Sequence, residues 1–404
     1  MSEIVEIVRI AHAGHGVAAD GVYVPLTVPG DVVRVTRAGT HARLEEIVKP
    51  GASRTRPACA HFGTCGGCAL QMLARESYLT WKRELVITAL RQRGFIDPPV
   101  EAIRAIPPGT RRRAVFKARC LPSGVLLGFY EADSHRLVDI TECPVLLPEL
   151  VSLLGPMKQH LRQILIPGEQ AELHVTATDT GIDISLRLDR RRNPDLLMQL
   201  AALANGLSLA RLSWNGEPIV VNRVPQLCIA GASVALPPES FLQPSKAGEQ
   251  LLQQLVLESA KGVRDVADLF CGCGSFALSL AFRASVLAID SSVSQTNALA
   301  EAARQYRGKV TVEQRDLFRR PLAASELQDF DAVVLDPPRV GAIAQCRELA
   351  KAPVASVLYV SCNPASFARD ARTLCDGGYQ LASVVPVDQF LWSAHVELFA
   401  RFTR

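Results

Sequence analysis

From about residue 236 the chain alternates short apolar runs with helical stretches, and no other feature constrains its fold as much. Val263–Phe270, Ser285–Asp290, Lys309–Gln314, Asp331–Leu335 and Val354–Val360 read as buried strands. Helical segments between them predict an α/β fold with a doubly wound sheet, and such sheets bind ligands at the carboxyl ends of their strands. Chemically useful residues stand at those ends. Asp268-Leu-Phe270-Cys-Gly272-Cys-Gly274-Ser275 follows the first strand and opens a helix. Its Gly-x-Gly lets backbone approach a nucleotide-like ligand, although Ala277 replaces the third glycine of the dinucleotide fingerprint. Asp290 ends the second strand, where a carboxylate can bind ribose hydroxyls. Asp316 follows the third strand, suitably placed for an adenine amino group. Asp336-Pro337-Pro338-Arg339 ends the fourth, with two prolines making a rigid, donor-poor edge that suits a flat base; the plainer reading is a turn-forming aspartate. Cys362 ends the fifth, in Ser361-Cys362-Asn363-Pro364, ahead of a helix whose start favours a thiolate. The plainer reading there is a buried structural cysteine.

The 404 residues divide into three segments. Residues 1–50 are short alternating runs between Gly and Pro turns, the pattern of a small β-barrel that binds RNA or acts as a spacer. Residues 51–235 read as an α+β domain, with an amphipathic helix from Gln71 to Arg93 that ends at Gly94. Residues 236–404 carry the doubly wound pattern. The second segment contains Cys59, Cys65 and Cys68 in a C-x5-C-x2-C spacing. Four thiolates hold a [4Fe–4S] cluster, and Cys143 is the best fourth, ahead of Cys120. Structural zinc prefers two separated Cys-x2-Cys pairs and is the alternative, followed by unbound thiols.

The chain has eleven cysteines and begins Met1-Ser-Glu-Ile-Val-Glu, without the basic and apolar regions of a secretory signal; no apolar run reaches the length of a membrane span. The expectation is a cytoplasmic, monomeric protein with reduced thiols and no membrane partner. Residues 1–235 hold 27 Lys and Arg against 22 Asp and Glu, whereas residues 236–404 hold 17 against 18. So small an excess is weak evidence for nucleic acid. The run Arg111-Arg112-Arg113 reads equally as a solvated face or a phosphate contact.

Asp268-Leu-Phe-Cys-Gly, Asp336-Pro-Pro-Arg, Ser361-Cys-Asn-Pro and His395-Val-Glu397 occur in the order and spacing of the S-adenosylmethionine-dependent RNA uracil-5-methyltransferases, and the chain resembles that family over nearly its whole length. Phe241-Leu-Gln243, Arg111-Arg-Arg-Ala and Gly128-Phe-Tyr also match, and residues 1–50 resemble the family's TRAM barrel. The resemblance implies a class I (Rossmann-like) methyltransferase domain, S-adenosylmethionine, a [4Fe–4S] cluster on Cys59, Cys65, Cys68 and Cys143, and a uridine in structured RNA as substrate. It implies Cys362 as nucleophile and Glu397 as base. Gln243, Phe270, Ser275, Asp290, Asp316 and Asp336 fall at cofactor- or base-contacting positions. The barrel and Arg111–Arg113 are expected to grip phosphates. Large-subunit (23S) rRNA is the first choice of substrate and the T-loop uridine of tRNA the second. An RNA cytosine-5-methyltransferase and a non-catalytic, cluster-bearing RNA-binding protein are the rival readings. Ser275, Asp290 and the segment Asp388-Gln-Phe-Leu-Trp-Ser-Ala-His depart from the family's usual residues, and the last bears on the floor of the pocket.

Overall fold

The computed structural model describes residues 2–404. Met1, the first residue of segment 1–50, lies outside the described residues. Strands β1 (Ser2–Ile10), β2 (Gly16–Ala18), β3 (Tyr23–Val24), β4 (Val32–Ala38) and β5 (His41–Lys49) close into a barrel in the order β1-β2-β3-β5-β4. Alternation turns Ile7, Val33 and Val35 inward, and closure leaves no unpaired sheet edge.

Helix α1 (Arg75–Arg91) and strand β6 (Arg104–Ala105) come next, followed by β7 (Arg113–Leu121), β8 (Gly124–Tyr130) and β9 (Leu137–Asp139). Helices α2 (Pro148–Ser152) and α3 (Leu154–Ile164) follow. Strands β10 (Gln170–Thr178) and β11 (Gly181–Arg187), helix α4 (Pro194–Gly206), and strands β12 (Arg211–Trp214) and β13 (Glu217–Val221) complete a seven-stranded sheet, ordered β13-β12-β11-β10-β7-β8-β9. Helices α2, α3 and α4 pack on it around Phe116, Leu150, Met157 and Leu200.

The remaining elements are the hairpin β14 (Gln226–Ile229) and β15 (Ala232–Ala235), then α5 (Lys246–Ser259), β16 (Asp265–Leu269), α6 (Ala277–Leu280), β17 (Ser285–Asp290), α7 (Val293–Ala303), β18 (Val310–Gln314), β19 (Ala332–Leu335), α8 (Ile343–Leu349), β20 (Ser356–Ser361), α9 (Pro364–Asp376), β21 (Gln380–Asp388) and β22 (Glu397–Thr403). They form an eight-stranded sheet ordered β18-β17-β16-β19-β20-β22-β21-β6. The first five strands are parallel, and β22 runs antiparallel to both its neighbours. Strand order reverses between β16 and β19, which opens a crevice at the carboxyl ends. Helices α5, α6 and α7 cover one face of the sheet. The other face is covered by α8, α9 and α1. Helix α1 and strand β6 thus pack with the C-terminal sheet although they lie within residues 51–235, and the β14–β15 hairpin adds Leu227 and Val234 to the core on the sheet's opposite face from α1.

The arginine run differs from the expected phosphate grip. Arg112 is buried, bonded to Glu249 at 2.8 Å and to the Gln243 carbonyl at 3.0 Å. Arg113 donates to the Leu242 carbonyl and lies 5.0 Å over the Phe241 ring. Arg111 turns toward the cysteine-lined cavity. These side chains lie inside the contact between the central and C-terminal sheets, where buried guanidinium groups need fixed acceptors. Among the described residues, no helix is long and apolar enough to cross a membrane.

Candidate active site

The parallel strands end on one edge of the sheet, and because β22 is antiparallel its first residue lands on that same edge. Ser361 pairs with Leu398, so Cys362 and Glu397 are the next residues on each side of the ladder. Asp336 follows β19, beside β20. Asn363 caps α9 by accepting from the Ala365 amide at 3.1 Å, and it donates to the Arg339 carbonyl at 2.9 Å. The Asp336-Pro-Pro-Arg loop is thereby tied to the residue after Cys362.

Two glutamines link the carboxylates. Gln243 Nε2 donates to Asp336 Oδ2 at 3.2 Å. Gln389 Nε2 donates to Gln243 Oε1 at 2.9 Å and to Glu397 Oε2 at 2.8 Å. Burial, followed by the nearby Asp336, pushes the Glu397 carboxyl up to about 8, and the bond from Gln389 opposes this. Burial pushes Asp336 up to about 7 against the bond from Gln243, with Glu249 and Asp290 adding to the rise. The Cys362 thiol is pushed up to about 12 by burial, then by Glu397 and Asp336, with Arg339 opposing. Lowering by the helix start is therefore outweighed, and the thiol is protonated in the resting site.

The other carboxylates crowd the same edge. Asp268 is fully buried at the end of β16 and pushed well above the ordinary carboxylate range by burial, Asp336 and Asp290. Asp290 accepts from the Gly272 amide at 3.0 Å and the Ser292 amide at 2.8 Å. Phe270 has a left-handed backbone, φ 64°, a strained conformation of the kind that collects at ligand sites. Gly272, φ 53°, borders open space, whereas a Cβ at Gly274 would come within 2.3 Å of Leu299. The first glycine leaves room for a ligand; the second serves packing. Ser275 donates its hydroxyl to Glu249, the partner of Arg112. Asp316 accepts from the Phe318 amide at 3.0 Å. The exposed Phe318 ring lies 5.4 Å from Phe270, so the two aromatics flank the crevice. Such an acidic, aromatic-edged crevice fits the cationic sulfonium and flat adenine of S-adenosylmethionine. Sequence reasoning missed Phe318 and Gln389; the only available signals were an aromatic two residues after Asp316 and a polar residue before Phe390.

Cys59, Cys65, Cys68 and Cys143 line one cavity of about 280 Å³, together with Gln71 and Arg111. Burial raises the thiols of Cys59, Cys65 and Cys68, the last to about 12, and Cys143 adds to each rise. The Gly67 amide donates to Cys65 Sγ at 3.4 Å. Gly66 instead packs on β8, where a Cβ would sit 2.8 Å from the Tyr130 carbonyl. Cys120 is buried in the core of the central sheet and does not line this cavity. The donor set is four soft ligands in number and kind. Among the described residues, no three His, Cys, Asp or Glu side chains converge at metal-ligand spacing, so the thiols surround the cavity rather than meet at a point.

The eight-stranded sheet, with its reversal and acidic crevice, has a methyltransferase fold. Residues 232–402 match the family model described as tRNA (Uracil-5-)-methyltransferase. An RNA methyltransferase of Brucella suis is 44% identical over 99% of this chain and 97% of its own length. The 23S rRNA (uracil(1939)-C(5))-methyltransferase RlmD of Halomonas elongata is 35% identical over 96% of this chain and 86% of its own. The crystal structure of Pyrococcus abyssi tRNA (uracil-54, C5)-methyltransferase with S-adenosyl-L-homocysteine superposes with a TM-score of 0.78, both chains fully covered, at 22% identity, and so shares the fold. The chain belongs to the RNA (uracil-5)-methyltransferase family and is an S-adenosylmethionine-dependent enzyme acting on RNA.

The raised carboxyls make stability depend on pH. Glu397 and Asp336 keep protons in the fold that the unfolded chain releases near its ordinary values of 4.5 and 3.8. The folded state therefore binds more protons above those ordinary values, and stability falls as pH rises from there until the carboxyls titrate in the fold at about 7 and 8, where the loss is complete. Denaturant titrations across this range should show a flatter profile for Glu397→Gln than for wild type, the difference reaching a few kcal/mol by about pH 9. Parallel profiles would mean that Glu397 is not held protonated.

Proposed function

We propose that the enzyme methylates C5 of a uridine through a covalent adduct on Cys362, with Glu397 as the base. The observation that carries this reading is the placement of Cys362 and Glu397 side by side on the strand-end edge, in the residue context the family shares. Uracil C5 is a poor nucleophile. Cys362 adds to C6 as a thiolate, its proton having gone to solvent, and the ring electrons move to C5 and O4 as an enolate. S-adenosylmethionine supplies an electrophilic methyl group to C5. Glu397 takes the C5 proton as a carboxylate, the C–H electrons restore the C5–C6 double bond, and the thiolate leaves. The C6–S bond thus forms and breaks once, and the net exchange at C5 is a proton for a methyl. Gln243, Phe270, Ser275, Asp290, Asp316 and Asp336 are proposed to hold the methyl donor or the base, Ser275 through its bond to Glu249. The target base must leave its stack to reach this edge. With the arginine run turned inward, the barrel is the proposed RNA-gripping surface.

The proposed substrate is 23S rRNA, supported by the Halomonas elongata relative at 35% identity over almost the whole chain. Cys59, Cys65, Cys68 and Cys143 are proposed to hold a [4Fe–4S] cluster. Their number, softness and shared cavity support it, and binding would draw the four sulfurs together with loss of their protons. Such a cluster would brace the segment around it.

Cys362→Ala should abolish methylation while leaving donor binding by calorimetry nearly unchanged; loss of donor binding would assign the cysteine to structure. Glu397→Gln should accumulate an RNA–protein adduct on denaturing gels, and absence of adduct with an intact thiol would remove Glu397 as base. Mass spectrometry of RNA from a strain lacking this protein should show 5-methyluridine lost from 23S rRNA and restored by enzyme plus donor; loss from tRNA alone would reassign the substrate. Anaerobically purified protein should contain four irons with a visible charge-transfer band, both lost in Cys68→Ser. One zinc and no visible band would replace the cluster with a structural metal.

A further inference from the structure

The segment from Asp388 to Glu397 joins the end of β21 to the start of β22. Its first two side chains point to different partners. Asp388 is buried, accepts from Tyr78 Oη at 3.0 Å and forms an ion pair with Lys82, whose ammonium group is fully buried. Lys82 also donates to the Phe390 carbonyl at 2.8 Å, and the Tyr78 oxygen accepts from the Trp392 amide at 2.7 Å. The Trp392 carbonyl in turn accepts from the amides of Ala69 and Leu70, directly after Cys68. Trp392 adopts φ 52°, which turns its carbonyl to these partners. The segment is therefore clamped over Asp388–Trp392 by α1 and by the loop that carries Cys68.

Gln389 is buried between the clamp and the site, and both hydrogens of its amide are used, one on Gln243 and one on Glu397. We propose that Gln389 is a positioning residue: it fixes the Glu397 carboxylate for acceptance of the C5 proton, and the Asp388–Lys82–Tyr78 node holds Gln389 in place. The assignment rests on Glu397 being the base. Three features of the geometry support it. The amide donates to Glu397 Oε2 and so fixes the orientation of the carboxyl group, whichever protonation state it is in. The same nitrogen fixes the polarity of Gln243, whose own amide then faces Asp336. Gln389 also packs where no bulk is tolerated, since a Cβ on Gly248 would lie 2.3 Å from its Oε1.

Single-turnover assays with substrate RNA and methyl donor separate adduct formation from adduct release. Gln389→Met keeps the volume and removes both donors. We expect adduct formation near the wild-type rate and release slowed about 10- to 100-fold, the range for a lost hydrogen bond to a charged group. The pH at half-maximal release should move upward, because the carboxylate loses its donor. Tyr78→Phe, which keeps the ring, should slow release in the same direction with donor affinity unchanged. Unchanged release in Gln389→Met, with adduct still trapped by Glu397→Gln, would overturn the positioning role alone. No adduct in Glu397→Gln would remove the base assignment and this role with it. Equal losses in formation, release and donor affinity would reduce Gln389 to a packing residue.

Discussion

Lys82 and Asp388 form a fully buried ion pair, and much of the arrangement depends on it. Taking both charges out of water costs several kcal/mol each, which only good geometry and further hydrogen bonds offset. The Tyr78 hydroxyl and the Phe390 carbonyl supply those bonds. A pair of this kind tolerates little displacement, so it fixes helix α1 against the end of β21. Around it, Val28, Leu70, Met72, Leu73 and Tyr78 form a small core to which Ile10 from the barrel and Trp392 from the site segment also belong. Barrel, thiol loop, helix α1 and candidate site thus meet at one junction. The Arg112–Glu249 pair plays the same part on the far side of the crevice, where Glu249 also receives the Ser275 hydroxyl.

The electrostatics of the edge follow from how the sheet is built. Parallel strands deliver Asp268, Asp290 and Asp336 to one edge, and an antiparallel strand adds Glu397. Little basic side chain is buried among them, so each carboxyl raises its neighbours. An empty site of this kind suppresses the thiolate of Cys362. Positive charge beside such a buried thiol would favour its ionised form.

How much was legible in the sequence follows from the range of each interaction. The five parallel strands were readable because buried parallel strands are continuous apolar runs. The residues at their ends, Asp290, Asp336 and Cys362, were readable with them. Strands β21 and β22 were not read, since Pro386 interrupts one and Glu397 and Arg401 break the apolar run of the other. Helix α1 was found, but nothing local marks Lys82 as buried, because its partner lies 306 residues away. The arginine run misled for the same reason: its acceptors, the Gln243 and Leu242 carbonyls and Glu249, belong to the other half of the chain. Local pattern reports local burial; a charge that is paired at long range looks exposed.

The chain from Asp336 to Glu397 illustrates a parity constraint. Both ends are acceptors, and two amides span them. Three hydrogen bonds are needed, and each must take its hydrogen from a glutamine, so one amide nitrogen has to donate twice. Gln389 does so, and its own oxygen is left buried without a partner. An unmade bond at such an acceptor costs about 1–3 kcal/mol. Gly248 sits against that oxygen and leaves it only the space of a hydrogen. The orphan oxygen is what accompanies an amide that donates to Gln243 and to Glu397 at once.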